Sequence, residues 1–188
     1  KNWNKIEVFN GVPDKTLVLN ITASQHNENI VYAIFNNHRN GDFKPYLLKS
    51  NDKGKTWSGI SKGLPERGST YCVAEDHINA NLLFVGTEFG IYFTLNGGLD
   101  WTKLSGGLPI TCIKDIAIQK RENDIVIATF GRGFYVLDDY SILQKIKADD
   151  LKETAHIFPV KDGMVFNTST PYGHKGKSFQ GESFFNTE

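Results

Sequence analysis

Three stretches of the chain share one pattern of apolar and polar positions. "TLVLNITASQHNENIVYAIFN" from Thr16, "TYCVAEDHINANLLFVGTEFG" from Thr70 and "IKDIAIQKRENDIVIATFGRG" from Ile113 each run through an alternating apolar segment, a polar turn, then a second apolar segment. Asn29, Asn81 and Asn123 stand in the turn just before the second segment each time. Alternation of period two over five to eight residues, punctuated by Gly and Asn, predicts short strands. A second repeated element follows: "KTWSGISKGLP" and "LDWTKLSGGLP" match almost letter for letter, and "KNWNKIEVFNGVP" opens the chain with the same pattern. Trp3, Trp57 and Trp101 lie 54 and 44 residues apart, and Pro13, Pro65 and Pro109 lie 52 and 44 apart. The insertion "NNHRNGDFKP" (Asn36–Pro45) accounts for the longer first period.

Each period holds four strand positions, A to D, which in the second are Tyr71–Asp76, Leu82–Thr87, Ile91–Thr94 and Trp101–Leu104. Four antiparallel strands per ~45 residues predict an all-β chain built of β-propeller blades. A β-sandwich is the alternative, but it gives no reason for Trp and Leu-Pro to recur at matched offsets. The count is two full blades (Thr16–Ser61 and Thr70–Ser105), a third with A to C (Ile113–Asp138), and a lone D strand (Trp3–Phe9). Closed propellers have about four to eight blades, so the expectation is an incomplete ring, a segment of a larger protein or one chain of an assembly. Residues 1–140 are expected to form this partial propeller. Residues 141–188 are expected to form a helical linker (Ser141–Glu153) and a tail leading to a following domain.

Composition narrows the partners. Lys+Arg 21 balance Asp+Glu 21, and no basic run offers a nucleic acid an electrostatic footprint. No apolar run approaches the ~20 residues of a membrane span, and "KNWNKIEVFN" has no apolar core of the export-signal kind. The five histidines form no cluster, so neither a metal nor a cofactor is expected. Whether Cys72 and Cys112 pair is open from spacing alone. Of the two N-x-S/T sequons, at Asn20 and Asn167, the first falls in an expected strand.

The chemistry-dense stretch "SNDKGKTW" (Ser50–Trp57) sits between strands C and D. Ser50, Asp52, Gly54, Thr56 and Trp57 follow the pattern S-x-D-x-G-x-T-W. Thr94, Asn96, Gly98 and Trp101 form a degenerate copy, in which Thr94 replaces Ser, Asn96 replaces Asp and Asp100 replaces Thr. A tight hairpin leaves backbone N–H groups unpaired, and a short side chain such as Asp52 or Asn96 accepts from its own turn. Gly54 and Gly98 supply a positive φ, and the two tryptophans bury large rings between sheets. These residues are expected to be scaffold. "DDYSILQK" after Leu137 has lost the pattern.

With four antiparallel strands per blade, A–B and C–D turns lie on one face and B–C and D–A loops on the other. Charged and aromatic residues on the second face are His38, Arg39, Asp42, Glu66, Arg67, Glu88, Phe89 and Arg132. Arg132, Phe89, Arg67 and Arg39 are the ligand-binding candidates, with Arg132 foremost because Gly131 and Gly133 let a partner approach closely. Asp42 and Glu88 are the carboxylates available to a catalytic alternative. "EDH" at Glu75–His77 lies in an A–B turn, where consecutive strand residues point to opposite faces. "GHKGKS" (Gly173–Ser178) lacks the first glycine of a phosphate loop, having Pro171 instead.

The pattern S-x-D-x-G-x-T-W resembles the Asp-box, or bacterial neuraminidase repeat. The tracts "GTEFGIYFTLNGGLDWTKLSGGLP" and "DIAIQKRENDIVIATFGRGFYVLDD" resemble the C-terminal propeller blades of large secreted bacterial Asp-box proteins. Those proteins are similar to sortilin-type receptors and to xyloglucan-cleaving propeller glycosidases. The tail "PYGHKGKSFQGESFF" resembles the segment that leads from such a propeller to a β-domain. The resemblance spans Trp3 to about Phe185. It implies a secreted, periplasmic or cell-surface multidomain parent whose propeller binds a peptide, protein or glycan and whose remaining blades are this segment's partners. Its alternative implication is part of a glycoside hydrolase of xyloglucanase or sialidase type. The arginine triad and tyrosine nucleophile of sialidases find no match among Arg39, Arg67, Arg121 and Arg132.

Overall fold

The computed structural model describes residues 5–146 and, beyond them, Ala155, residues 157–159, Asp162, Gly163 and two short strands. Two antiparallel four-stranded meanders come first. One runs β1 (Leu17–Ala23), β2 (Val31–Asn36), β3 (Tyr46–Ser50), β4 (Ser58–Gly59); the other runs β5 (Thr70–Glu75), β6 (Leu83–Thr87), β7 (Gly90–Thr94), β8 (Thr102–Lys103). A third sheet has β9 (Ile113–Gln119), β10 (Asp124–Thr129) and β11 (Phe134–Leu137), followed by α1 (Ser141–Lys145). These belong to a compact unit, Lys1–Leu151. In a separate unit, Lys152–Glu188, β12 (Asn167–Ser169) pairs antiparallel with β13 (Ser183–Phe185).

The sheets stack face to face as propeller blades, and period-two alternation explains how one strand serves two interfaces. In β6, Leu83 and Val85 join Tyr32, Ile34 and Leu47 of the first sheet. Phe84, pointing the other way, joins Ile113, Ile116 and Ile125 of the third. Burying each such side chain stabilises the stack by about 1.5–3 kcal/mol. Gly86 makes the second interface possible, because a Cβ there would lie 2.5 Å from Cys72 Sγ and 2.8 Å from Ile113 Cγ2.

The turns fulfil the expected two-face geometry. The backbone carbonyl of each repeated asparagine accepts a hydrogen bond from the segment that follows the third strand of its own sheet: Asn29 from Lys53 N–H (2.8 Å), Asn81 from Gly97 N–H (2.9 Å) and Asn123 from Tyr140 N–H (2.8 Å). The residues of "EDH" work as staples. The Glu75 carboxylate reaches the first blade, accepting from Ser24 Oγ, the Gln25 backbone and the Tyr32 hydroxyl. Asp76 points oppositely and accepts from the Tyr140 hydroxyl (2.5 Å) and Gln144 Nε2 (2.8 Å) beyond the third blade.

The three sheets do not close into a ring. The outer face of the first sheet leaves Val18 (44% exposed) and Ile21 (64%) to solvent, and that of the third leaves Phe134 (76%) and Val136 (58%). Lys5–Phe9, the described part of the expected lone D strand, forms no strand, because no described strand precedes β1 to pair with it. Phe9 instead packs on Phe35 and Trp57, with centroids 4.7 and 5.7 Å apart. The expected helix Ser141–Glu153 is helical over Ser141–Lys145; Ile146 turns extended at ψ 127°, and residues 147–153 lie outside the described residues. So do Pro171 and "GHKGKS". Cys72 and Cys112 are both free thiols. No described helix is long and apolar enough to cross a membrane.

Candidate binding site on the B–C loop face

The Ser50–Trp57 turn closes on itself. Asp52 Oδ1 accepts from Thr56 N–H (2.8 Å) and Ser50 Oγ (2.8 Å), and Oδ2 accepts from the Thr56 hydroxyl (2.7 Å). Ser50 Oγ in turn accepts from Gly54 N–H (2.8 Å), and the Trp57 indole N–H donates to the Gly54 carbonyl (2.9 Å). Stabilised first by the Thr56 backbone N–H, then by the Thr56 and Ser50 hydroxyls, the Asp52 carboxyl is held down to about 2. The degenerate copy keeps the geometry. Asn96 Oδ1 accepts from the Thr94 hydroxyl and from Leu99 and Asp100 N–H, and Thr94 Oγ1 accepts from Gly98 N–H. Trp101, 8% exposed, inserts between the first two sheets and donates its indole N–H to the Ile60 carbonyl (2.7 Å). Trp57 is half-buried on the outer face of the first sheet.

On the opposite face, loops of two blades converge. Phe43 from the β2–β3 loop, Arg67, Gly68 and Ser69 from the β4–β5 connection, and Glu88 and Phe89 from the β6–β7 loop line a cavity of ≈ 370 Å³. Arg67 stands 6.0 Å from the Phe43 ring centroid. The Ser69 hydroxyl, 1% exposed as a residue, has no hydrogen-bond partner among the described residues. A broader depression of ≈ 890 Å³ shares Phe43 and Arg67 and adds Asp42, Lys44, Tyr46 and Glu66.

Both candidate carboxylates are engaged. Asp42 accepts from the Tyr46 hydroxyl (2.5 Å), Asn37 Nδ2 (3.1 Å) and Lys44 N–H (3.1 Å). The Tyr46 bond is the largest influence, and the pKa is lowered. Glu88 accepts from the Tyr71 hydroxyl (2.5 Å). Burial, then the bond to Glu88, pushes the Tyr71 phenol up. Among the described residues no group of three or more His, Cys, Asp or Glu is arranged to hold a metal ion.

The structure therefore gathers Arg67, Glu88 and Phe89 around one cavity, with Asp42 and Glu66 in the depression beside it. Arg39 and His38 stand exposed on a 3₁₀ turn (His38–Asn40), outside the cavity lining. Arg132 is exposed at the β10–β11 turn between Gly131 (φ 84°) and Gly133 (φ 69°), also outside that lining. Sequence reasoning missed Phe43, Ser69, Tyr71 and Lys114. The last two occupy bulges at the starts of β5 and β9, where the strand register shifts between Thr70 and Cys72 and again opposite Ala128/Thr129. Such bulges re-aim side chains, and Lys114 Nζ lies 3.6 Å from the Tyr71 ring centroid. No sequence pattern signals a bulge within an otherwise regular alternation.

No protein-family profile and no curated protein matches the chain. Among solved structures it is similar to an ancestral GH74 enzyme (22% identity, TM-score 0.48, 62% of this chain and 17% of that one). It is similar also to the GH74 xyloglucanase from Xanthomonas campestris (13%, 0.46, 58% and 18%). YCF48 from Cyanidioschyzon merolae is a third such structure (16%, 0.43, 72% and 42%). The chain spans under a fifth of the length of either GH74 protein.

Proposed function

We propose that this chain is a non-catalytic propeller segment of an extracytoplasmic multidomain protein and that it binds a protein, peptide or glycan on its B–C loop face. In this reading Ser50–Trp57 and Thr94–Trp101 are Asp-boxes with a structural role. The observation that carries it is the cavity between Phe43 and Phe89. It combines two apolar rings, one guanidinium and a buried hydroxyl that lacks a partner, which is the mixed lining of a recognition site. Arg132, at its glycine-flanked turn, and Arg39 are proposed as outlying contacts to a longer ligand. The test is titration of the chain against glycan and peptide libraries, with Phe43→Ala and Phe89→Ala expected to weaken any hit by at least about tenfold. Hits indifferent to both changes would refute the site.

The second reading, part of a glycoside hydrolase, rests on the placement of Asp42 and Glu88 on neighbouring B–C loops. Glycoside hydrolysis needs one carboxyl held protonated near neutral pH, and Asp42 is shifted the opposite way. Assaying the parent protein on β-glucans and sialosides separates the readings. Turnover abolished by Glu88→Gln or Asp42→Asn establishes the hydrolase and overturns the binding role.

A further inference from the structure

We propose that the ligand of the B–C loop face is an extended acidic peptide, lying across all three sheets on a track of phenylalanine rings and unpaired cations. This rests on the binding role proposed above and carries the site beyond its cavity. Each B–C loop brings one phenylalanine to the surface: Phe43 on the first sheet (41% exposed), Phe89 on the second (44%) and Phe130 on the third (73%). Other side chains link them in order. Arg67 lies 6.0 Å from the Phe43 ring centroid, and both share the cavity wall with Glu88 and Phe89. Glu88 accepts from the Tyr71 hydroxyl at 2.5 Å. Lys114 Nζ stands 3.6 Å from the Tyr71 ring centroid and 5.6 Å from that of Phe130. The two bulges that re-aim Tyr71 and Lys114 thus continue the track from the cavity onto the third blade.

Charge selects the ligand. Arg67, Lys114 and Arg132 are exposed and enter no ion pair among the described residues. The carboxylates beside them are already hydrogen-bonded: Asp42 by the Tyr46 hydroxyl, Glu88 by the Tyr71 hydroxyl and Asp115 by the Ile116 backbone N–H. Glu66, in the broader depression, is the exception. The track therefore offers positive charge and donors next to apolar rings. Guanidinium and ammonium groups donate and cannot accept. Sugar hydroxyls donate as readily as they accept, and their hydrogens would meet oxygens already engaged. Peptide carboxylates and backbone carbonyls only accept, so they match these donors. An apolar side chain of the same peptide fits the ≈ 370 Å³ cavity between Phe43 and Phe89. Complementary charge then sets which peptides bind, and a track crossing three blades needs a ligand that is extended.

Selection of a random peptide display library on the chain is expected to enrich sequences that combine Asp or Glu with Leu, Phe, Tyr or Trp. The selected peptide, synthesised with a fluorescent label, should bind less tightly as salt is raised. Its affinity should fall at least about tenfold for a chain carrying Arg67→Gln, Lys114→Gln and Arg132→Gln together. Phe130→Ala, outside the cavity lining, should weaken binding by about fivefold or more. All four side chains are exposed, so the fold survives these changes, and far-ultraviolet circular dichroism verifies it. Enrichment of basic or uncharged peptides, tighter binding of a glycan, or affinity indifferent to the triple variant or to Phe130→Ala would overturn the acidic track. Where such hits still weaken with Phe43→Ala and Phe89→Ala, the cavity stands as a binding site without the track. A chain that retains neither peptide nor glycan overturns both.

Discussion

Replacing Trp101 with alanine removes the ring that spans the first two sheets. Trp101 is 8% exposed, packs against Ile60, Leu64, Val85 and Tyr92, and donates to the Ile60 carbonyl at 2.7 Å. A truncation of a buried tryptophan costs about 3–5 kcal/mol, because the site loses contacts and relaxes only partly. Trp101→Phe keeps most of the apolar area but forfeits the hydrogen bond, a loss of about 1 kcal/mol beyond the change of shape. Trp57 is half-buried, touches Phe9 across the open outer face and bonds to its own turn at Gly54. Trp57→Ala should therefore cost roughly half as much as Trp101→Ala, in proportion to the apolar area lost. Urea unfolding of the three variants by circular dichroism, extrapolated to zero denaturant, measures all of these values. If Trp101→Ala costs less than about 1 kcal/mol, or no more than Trp57→Ala, the tryptophan is not what joins the sheets.

Other perturbations follow from the interfaces. Gly86→Ala should destabilise by about 1–3 kcal/mol through overpacking, since its Cβ would meet Cys72 and Ile113 inside contact distance; thermal unfolding reads it. Burial alone would raise the Asp76 pKa, but bonds from Tyr140, Asn79, Gln144 and Ile78 outweigh it and the pKa is lowered. Its contribution to stability is therefore present above the unfolded carboxylate value of about 3.9 and lost as pH falls through the folded value. Asp76→Asn should flatten the acid limb of a stability-against-pH curve, and an unchanged limb would contradict the staple.

The strands were legible because a blade sandwiched between neighbours must alternate its apolar residues toward two interfaces, as Leu83, Phe84 and Val85 do. The C–D turns were legible because their hydrogen bonds are local, joining Ser50, Asp52 and Thr56 within seven residues. Contacts between blades were not. Nothing in the letters says that Glu75 and Asp76, adjacent in sequence, staple opposite neighbours, or that Gly86 is small because Ile113 approaches it. The candidate site was half legible. Loop position alone selected Arg67, Glu88 and Phe89, but Phe43 depends on how the long β2–β3 loop folds, and Tyr71 and Lys114 depend on bulges. Arg132 was favoured for its flanking glycines, a local property that does not fix what else lies nearby.

Carbon-13 titration of the Asp52 carboxyl in the labelled chain tests most directly whether the chemistry-dense turns are scaffold. A carboxylate bonded to the Thr56 backbone N–H, the Thr56 hydroxyl and the Ser50 hydroxyl should titrate at about 2 and stay ionised through mildly acidic pH. A midpoint at or above the ordinary aspartate value of about 3.9 would mean that the carboxylate is not committed to its own turn.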